Sequence, residues 1–312
     1  MYRYFERVLF TPKWFDYPII FLLIPFSLIY ALINFIYIKL KSLRVVDFNI
    51  PIIGIGNIIV GGSGKTPFAI YLINYLNSKY DEKICYISRG YGRVSKGLVE
   101  VKVDNNIYAN VIDSGDEAML VAKECDCDVY VSENREIAIK KAIDNGAKII
   151  VLDDAFSKVH IKKFDILLEP KNISNYLPIP AGGLREFYFC KKRANLILKE
   201  GKDFKREIFF ENLTDKMVLV TAISKPFRLN PFLPEGVVKK VYYKDHSFFN
   251  EKKLKKLLEK YRAKSILTTP KDYVKMEHFK LPISKIKLKL DLNLEKLKLV
   301  DQYLGEFNCK QK

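Results

Sequence analysis

Histidine, tryptophan and cysteine are scarce in this chain, and the scarcity narrows the chemistry open to it. Among 312 residues there are three histidines (His160, His246 and His278), one tryptophan and five cysteines. Cys85, Cys125, Cys127, Cys190 and Cys309 are odd in number and irregularly spaced, which excludes the disulfide framework of a small secreted scaffold and fits reduced thiols. Cys125-Asp126-Cys127 has one intervening residue where a zinc knuckle has two, and no histidine stands near it, so no zinc site is expected there. Charge is also missing in one place. From Pro18 to Ile38 no residue is charged and only Ser27 and Asn34 are polar, a run of 21 residues and roughly 30 Å as a helix.

That run is long enough to cross a bilayer. It starts too late, is too long and lacks a small-residue cleavage site, so it does not read as a signal peptide. Arg3, Arg7 and Lys13 precede it and Lys39, Lys41 and Arg44 follow, so flanking charge sets no orientation. Pro25 can kink a spanning helix or divide the run into pieces lying in the interface. A buried core helix is the third reading. Positive charge accumulates elsewhere: residues 191–312 hold 30 Lys and Arg against 15 Asp and Glu, so they carry +15 of the net +17. Lys252, Lys253, Lys255 and Lys256 make one helical turn strongly basic. Such a surface attracts nucleic acid, anionic lipid or an acidic substrate. No motif of interleaved aromatic and basic residues marks an RNA reader, so nucleic acid is not the expected partner.

What is present centres on Gly61-Gly62-Ser63-Gly64-Lys65-Thr66-Pro67, directly after the apolar, strand-like run Ile50 to Val60. A strand that delivers a glycine-rich turn into a helix leaves backbone N–H groups free to wrap phosphate oxygens, with Lys65 and Thr66 placed for phosphate and Mg²⁺. The first glycine of the general G-x-x-x-x-G-K-[ST] pattern is replaced by Ile59. Pro67 suits the first turn of a helix whose buried stripe is Phe68, Ile70, Tyr71, Ile73, Tyr75 and Leu76.

Alternation of strands and helices continues. Lys83 to Ile87 reads as a strand ending in Ser88-Arg89-Gly90-Tyr91-Gly92-Arg93, either a plain surface loop or an anion-binding one. Leu98–Val103 and Ile107–Ile112 read as a hairpin around Asp104-Asn105-Asn106. Asp113-Ser114-Gly115-Asp116-Glu117 opens a helix, where carboxylates are ordinary caps or, for one of them, a general base. Asp128–Ser132 is a strand, Glu133–Asn145 a helix closed by Gly146, and Lys148–Asp154 a strand whose end presents Asp153 and Asp154, the position at which a nucleotide-binding sheet holds Mg²⁺. Arg185-Glu186 ends a Pro/Gly-rich stretch as a helix-start ion pair or an active-site pair. Lys202–Thr214 is mixed and marks a boundary. Met217–Ile223, Val237–Tyr243, the helix Glu251–Tyr261, Ser265–Thr269 and the alternating Lys285–Leu292 form a second unit. The pattern predicts an α/β fold of P-loop NTPase type: a mostly parallel, doubly wound sheet, a second smaller α/β domain and an apolar N-terminal helical segment. The expected division is 1–45 membrane-associating, 46–205 ATP-binding and 206–312 basic C-terminal.

In order and spacing these pieces resemble the tetraacyldisaccharide 4'-kinase family of lipid A synthesis. The resemblance rests on the apolar N-terminal segment, G-G-S-G-K-T-P at 61–67, S-R-G-Y-G-R at 88–93, G-D-E at 115–117, L-D-D at 152–154, P-A-G-G-L-R-E at 180–186, D-H-S-F at 245–248 and T-P-K-D at 269–272. The chain departs from the family's D-D-G-F-Q-H with Asp153-Asp154-Ala155-Phe156-Ser157-Lys158. The resemblance implies transfer of the γ-phosphoryl of ATP to the 4'-hydroxyl of a tetraacyldisaccharide 1-phosphate, giving lipid IVA, at the cytoplasmic face of a bacterial inner membrane, by a monomer attracted to anionic lipid. It implies that Gly61, Gly62, Ser63, Gly64 and Lys65 hold the phosphates. Thr66 and Asp153 would hold Mg²⁺, with Asp154 and Glu186 ligating or supporting. Asp116 would accept the hydroxyl proton with His246 paired to it from the second domain, and Ser88, Arg89, Tyr91 and Arg185 would face the substrate. Two rivals remain at this level. A membrane-tethered P-loop NTPase acting as a switch or chaperone leaves Asp116, Arg185 and His246 without work. A nucleic-acid-binding ATPase leaves the apolar N-terminus unexplained.

Overall fold

The computed structural model describes residues 2–61 and 64–312, so Gly62 and Ser63 of the glycine-rich turn lie outside the described residues. The chain begins with α1 (Tyr2–Phe10) and α2 (Tyr17–Lys41), then runs through β1 (Ile52–Gly56), α3 (Lys65–Lys79), β2 (Ile84–Ser88), β3 (Val99–Val103), β4 (Asn106–Ile107), α4 (Val111–Ser114), α5 (Asp116–Glu124), β5 (Asp128–Val131), α6 (Arg135–Asp144), β6 (Ile149–Asp153), β7 (Phe164–Glu169) and β8 (Leu196–Lys199). These strands form one sheet in the order β4-β3-β5-β2-β6-β1-β7-β8, parallel from β5 to β8. Its central strands are apolar on both faces because both are covered. Ile53, Ile55 and Val151 face α3 and α5, while Ile52, Ile150 and Leu152 face Ala138, Ile139 and Ala142 of α6.

A second sheet follows from β9 (Phe204–Glu211), β10 (Met217–Thr221), β11 (Val237–Tyr242), β12 (Ser265–Thr268) and β13 (Ile283–Leu292), with α7 (Glu251–Tyr261) and α8 (Pro270–Tyr273) between strands. Its order is β11-β10-β12-β13-β9, with β9 antiparallel to β13 from Phe204–Leu292 to Glu211–Lys285. The last helix, α9 (Lys298–Gly305), returns to the large sheet. Leu297, Val300 and Leu304 are buried with Leu72 and Val151, and Asp301 accepts hydrogen bonds from Tyr75 (2.8 Å), Lys79 (2.6 Å) and Tyr80 (2.9 Å).

Three local expectations change. The second half of the hairpin is only Asn106–Ile107, because the Asn110 side chain accepts from Ile112 N (2.8 Å) and Asp113 N (3.0 Å) and starts a helical turn instead. The mixed stretch 202–214 contains strand β9. And α2 is not a buried core helix. Ile20, Ser27, Ala31 and Ile38 lie on one helical face and are buried, while Phe21, Leu22, Phe26, Ile29, Ile33 and Leu40 are exposed. The buried face docks on residues 177–189: Ser27 Oγ accepts from Ala181 N (2.8 Å), Asn34 Nδ2 donates to Arg185 O (3.0 Å), and Phe35 meets Phe187 and Phe189 edge-on. Trp14–Lys41 is the one stretch among the described residues long and apolar enough to cross a membrane.

Candidate functional site

The glycine-rich turn leaves β1 beside the Pro/Gly-rich stretch, since Arg185 N donates to Ile58 O (2.8 Å) and Val60 N to Gly183 O (2.9 Å). Gly64 precedes α3 with φ +80°, a left-handed conformation costly for other residues. A Cβ there would also stand 2.8 Å from Nη2 of Arg206, a β9 residue whose guanidinium lies against the loop. Lys65 opens α3, donates to Asn57 Oδ1 (3.3 Å) and pairs with Asp154 (3.3 Å); Thr66 follows, partly buried, in the same first turn.

Parallel pairing of β1 with β6 sets Ile55 opposite Asp153 and brings the two aspartates to the turn. Asp153 is buried, accepting from the Tyr86 hydroxyl (2.7 Å) and from Asp154 N (2.8 Å). Burial, helped by the negative charge of Glu117, pushes its carboxyl up to about 6 against the pull of Lys65. No cationic side chain pairs with that carboxylate among the described residues, so it is a place where a divalent cation would neutralise a buried charge. No cluster of three potential ligands exists among the described residues; Mg²⁺ beside a nucleotide needs only one or two carboxylates, with phosphate and water completing its shell. Asp154 is differently placed. Arg185 Nη1 reaches both its oxygens (3.0 and 3.2 Å), and although burial opposes it, Lys65 and Arg185 hold this carboxyl below the usual range. Glu186 is buried and bound by Arg193 (2.9 and 3.2 Å), and burial raises its pKa. In this arrangement Asp153 is the one of the three carboxylates without a cationic side-chain partner. The Lys158 pKa is lowered, by burial first and then by the neighbouring charges of Arg135, Lys41 and Arg89.

The opposite wall is built at the N-terminus of α5. Gly115 has φ +83°, and a Cβ there would lie 2.9 Å from Tyr91 O, so glycine lets the 88–93 loop close against the helix start. Asp116 follows as the first helical residue, buried. His246, from the loop after β11, has φ +60°, anchors its N–H on Ala222 O (3.0 Å) and sets Nδ1 2.9 Å from Asp116 Oδ1. Tyr91 packs on the imidazole with ring centroids 4.8 Å apart. Lys275 Nζ donates to Asp116 Oδ2 (3.2 Å), while Lys271 donates to Glu117 (3.1 Å) and lies 3.3 Å from His246 Nε2. Burial would raise the Asp116 pKa, but the His246 hydrogen bond and the two lysines outweigh it and hold the carboxyl below its ordinary value. Glu117 connects the walls: it contacts Lys271 on one side and its charge is felt by Asp153 on the other.

Of the residues singled out from sequence, Lys65, Asp153, Asp154 and Arg185 therefore form one group and Asp116, His246 and Tyr91 another. Ser88 is buried at the end of β2, its hydroxyl accepting from Gly90 N (3.3 Å), and Arg89 is exposed. Glu186 stands with Arg193 instead of the aspartates. Sequence reasoning assigned no role to Lys271, Lys275, Arg206 or Arg193. The spacing of Lys271 and Lys275, four residues apart after a helix-starting Thr-Pro, was a usable signal; the contact of Arg206 with Gly64 arises only from tertiary docking.

The profile of the tetraacyldisaccharide-1-P 4'-kinase family matches residues 19–226 and 205–305. Proteins named tetraacyldisaccharide 4'-kinase are similar over nearly the whole chain. That of Aliarcobacter butzleri is 46% identical, covering 98% of both chains. That of Helicobacter acinonychis is 44% identical over 97% of this chain and 96% of its own, and that of Campylobacter jejuni is 40% identical with the same coverage. Among solved structures, LpxK from Aquifex aeolicus in complex with ATP superposes with a TM-score of 0.77 at 27% identity, covering 92% of this chain and 99% of that one.

Proposed function

The chain belongs to the tetraacyldisaccharide-1-P 4'-kinase family, and from that premise we infer that it is an ATP-dependent lipid kinase, transferring the γ-phosphoryl of ATP to the 4'-hydroxyl of tetraacyldisaccharide 1-phosphate in lipid A synthesis. The observation that carries the mechanism is the 2.9 Å contact between Asp116 on α5 and His246 on the second sheet's side of the cleft.

In the proposed mechanism Asp116 accepts the proton of the attacking hydroxyl, and His246 orients the carboxylate through Nδ1. Its lowered pKa keeps Asp116 ionised and ready at neutral pH, at some cost in basicity. Lys65 and the backbone amides of Gly61, Gly62, Ser63 and Gly64 cradle the β- and γ-phosphates. Asp153 and Thr66 would hold Mg²⁺, which when bound supplies charge neutralisation between the phosphates. Asp154 and Glu186, engaged by Lys65, Arg185 and Arg193, support the cradle or complete the metal's surroundings. Ser88, Arg89, Tyr91 and Arg185 face the disaccharide. Arg206, against Gly64, brings a cation from the second sheet to the phosphate side.

A four-chain lipid cannot leave the bilayer cheaply, because exposing each CH₂ costs about 0.8 kcal/mol. The enzyme therefore works at the membrane, here assigned to the cytoplasmic face of the inner membrane. The exposed face of α2 meets the acyl region while basic residues of the C-terminal portion are attracted to anionic headgroups. The working unit is a monomer, with a membrane-associating segment at 1–45, an ATP-binding unit at 46–205 and a smaller unit from 206, whose tail from Leu294 lies back on the larger one.

The test is incubation of purified protein with [γ-³²P]ATP, Mg²⁺ and tetraacyldisaccharide 1-phosphate in detergent, followed by chromatography of the lipid. Labelled lipid is expected. Phosphate release without labelled lipid would instead indicate a nucleotide-driven switch.

A further inference from the structure

Lys275 is the most deeply buried cation next to the site, and its surroundings are more elaborate than packing requires. Thr269 caps α8, with Asp272 in its first turn, and the chain continues through Val274 to Lys275. The Lys275 side chain is wholly buried, a state that is costly for an unpaired ammonium. Two carboxylates meet it: Asp272 Oδ1 at 2.8 Å and Asp116 Oδ2 at 3.2 Å. Asp272 is itself fixed, its other oxygen accepting from Thr221 Oγ1 (2.6 Å), Ala222 N (3.0 Å) and Thr269 Oγ1 (2.9 Å). The ammonium also stands 5.1 Å from the centre of the Phe249 ring. Thus the second unit places Lys275 through Asp272 and the Phe249 ring, and the contact to Asp116 is made across the cleft to the other sheet's layer.

The two oxygens of Asp116 then have separate partners, His246 on Oδ1 and Lys275 on Oδ2. The remaining charges facing this carboxylate are Lys271 at 3.9 Å, Glu117 beside it on α5, and Asp245, which lies 3.8 Å from Lys271; Tyr91 covers the imidazole.

We propose that Lys275 is a positioning residue for phosphoryl transfer: anchored by Asp272, it fixes the carboxylate plane of Asp116 and keeps that group ionised, so the base is in working order only when the second unit is docked. The proposal rests on Asp116 being the base. Removal of one of several nearby cations raises a carboxylate pKa by about one unit, and the lost charge-assisted contact slows turnover by about tenfold or more.

The experiment is the pH dependence of kcat at saturating Mg²⁺ and ATP, conditions under which Asp153 stays ionised and does not set the acid limb, for Lys275→Met, Lys275→Arg and Asp116→Asn, with KM for ATP and melting temperature measured in parallel. Lys275→Met is expected to lower kcat by about tenfold or more with KM for ATP within about twofold, and to move the acid limb up by about one pH unit. Lys275→Arg, which keeps the charge, is expected to restore most of the rate and the position of the limb. If Lys275→Met does not fold, Lys275→Met/Asp272→Asn removes both members of the anchoring pair and is expected to move the limb in the same direction by a smaller amount, since a neighbouring negative charge goes with the cation. An acid limb that stays in place in a folded variant, with activity tracking melting temperature alone, would overturn the proposal. Near-normal turnover by Asp116→Asn would overturn the base assignment and the proposal together, whereas an inactive Asp116→Asn beside an unmoved limb sinks only the role of Lys275.

Discussion

If Asp116 and His246 act as one unit, removing both should cost little more than removing Asp116. The Nδ1 to Oδ1 distance of 2.9 Å is that of a charge-assisted hydrogen bond between two nearly buried groups. Such bonds contribute about 1.5–3 kcal/mol, so His246→Ala should slow turnover by about ten- to 150-fold. Asp116→Ala removes the proton acceptor and should cost about a hundredfold or more. Were the two independent, the double variant would lose the product of these factors, about a thousandfold or more. With His246 working only through Asp116, the double variant should match Asp116→Ala within about threefold. The assay is transfer of label from [γ-³²P]ATP to the detergent-solubilised lipid under saturating ATP, with calorimetric ATP binding as the control for folding. Multiplicative losses would refute the pairing and give His246 an independent contact with substrate.

Further outcomes follow from the same geometry. Gly64→Ala should weaken ATP binding markedly and destabilise the fold by about 1–2 kcal/mol, because a Cβ is strained at this left-handed backbone position and displaces the Arg206 guanidinium from the loop; calorimetric titration with ATP and urea unfolding check both parts. Asp301→Ala strips the acceptor from Tyr75, Lys79 and Tyr80 and should lower unfolding free energy by about 2 kcal/mol or more, with KM for ATP unchanged. Phe26→Ser/Ile33→Ser, on the exposed face of α2, should reduce partitioning onto anionic vesicles by about tenfold or more while leaving the melting temperature nearly constant; unchanged co-sedimentation would transfer the membrane role to the basic surface.

Much of the larger unit was legible because its signals are local. The Ile-rich run before Gly61 and the paired aspartates ending an apolar strand declare parallel strands whose C-terminal ends meet, and the register of Ile55 with Asp153 realises that. Strand β9 was hidden because apolar Phe204, Ile208, Phe209 and Phe210 do not keep to one face, and its pairing partner β13 lies some eighty residues later. Residues 108–112 have β-prone side chains, yet a single Asn110 cap redirects them. The polar partners were hardest to foresee. Lys275 reads as one lysine among many in a basic segment until Asp272 and Asp116 are seen on either side of it, and Arg193 gives no local sign that it will hold Glu186.

The pairing of β9 with β13 has one more consequence. These are the strands by which the chain enters and leaves the smaller unit, and they are bonded to each other along eight residue pairs. A body suspended from a two-stranded ribbon loses the swivelling freedom it would have on a single flexible tether, and its travel is confined to bending toward or away from its neighbour. The ribbon thereby holds His246 and Lys275 near Asp116, and their effective concentration at the carboxylate exceeds the millimolar range typical of short flexible linkers. Cutting β13 would lower that concentration, and cutting β9 would in addition release Arg206 from the glycine-rich loop.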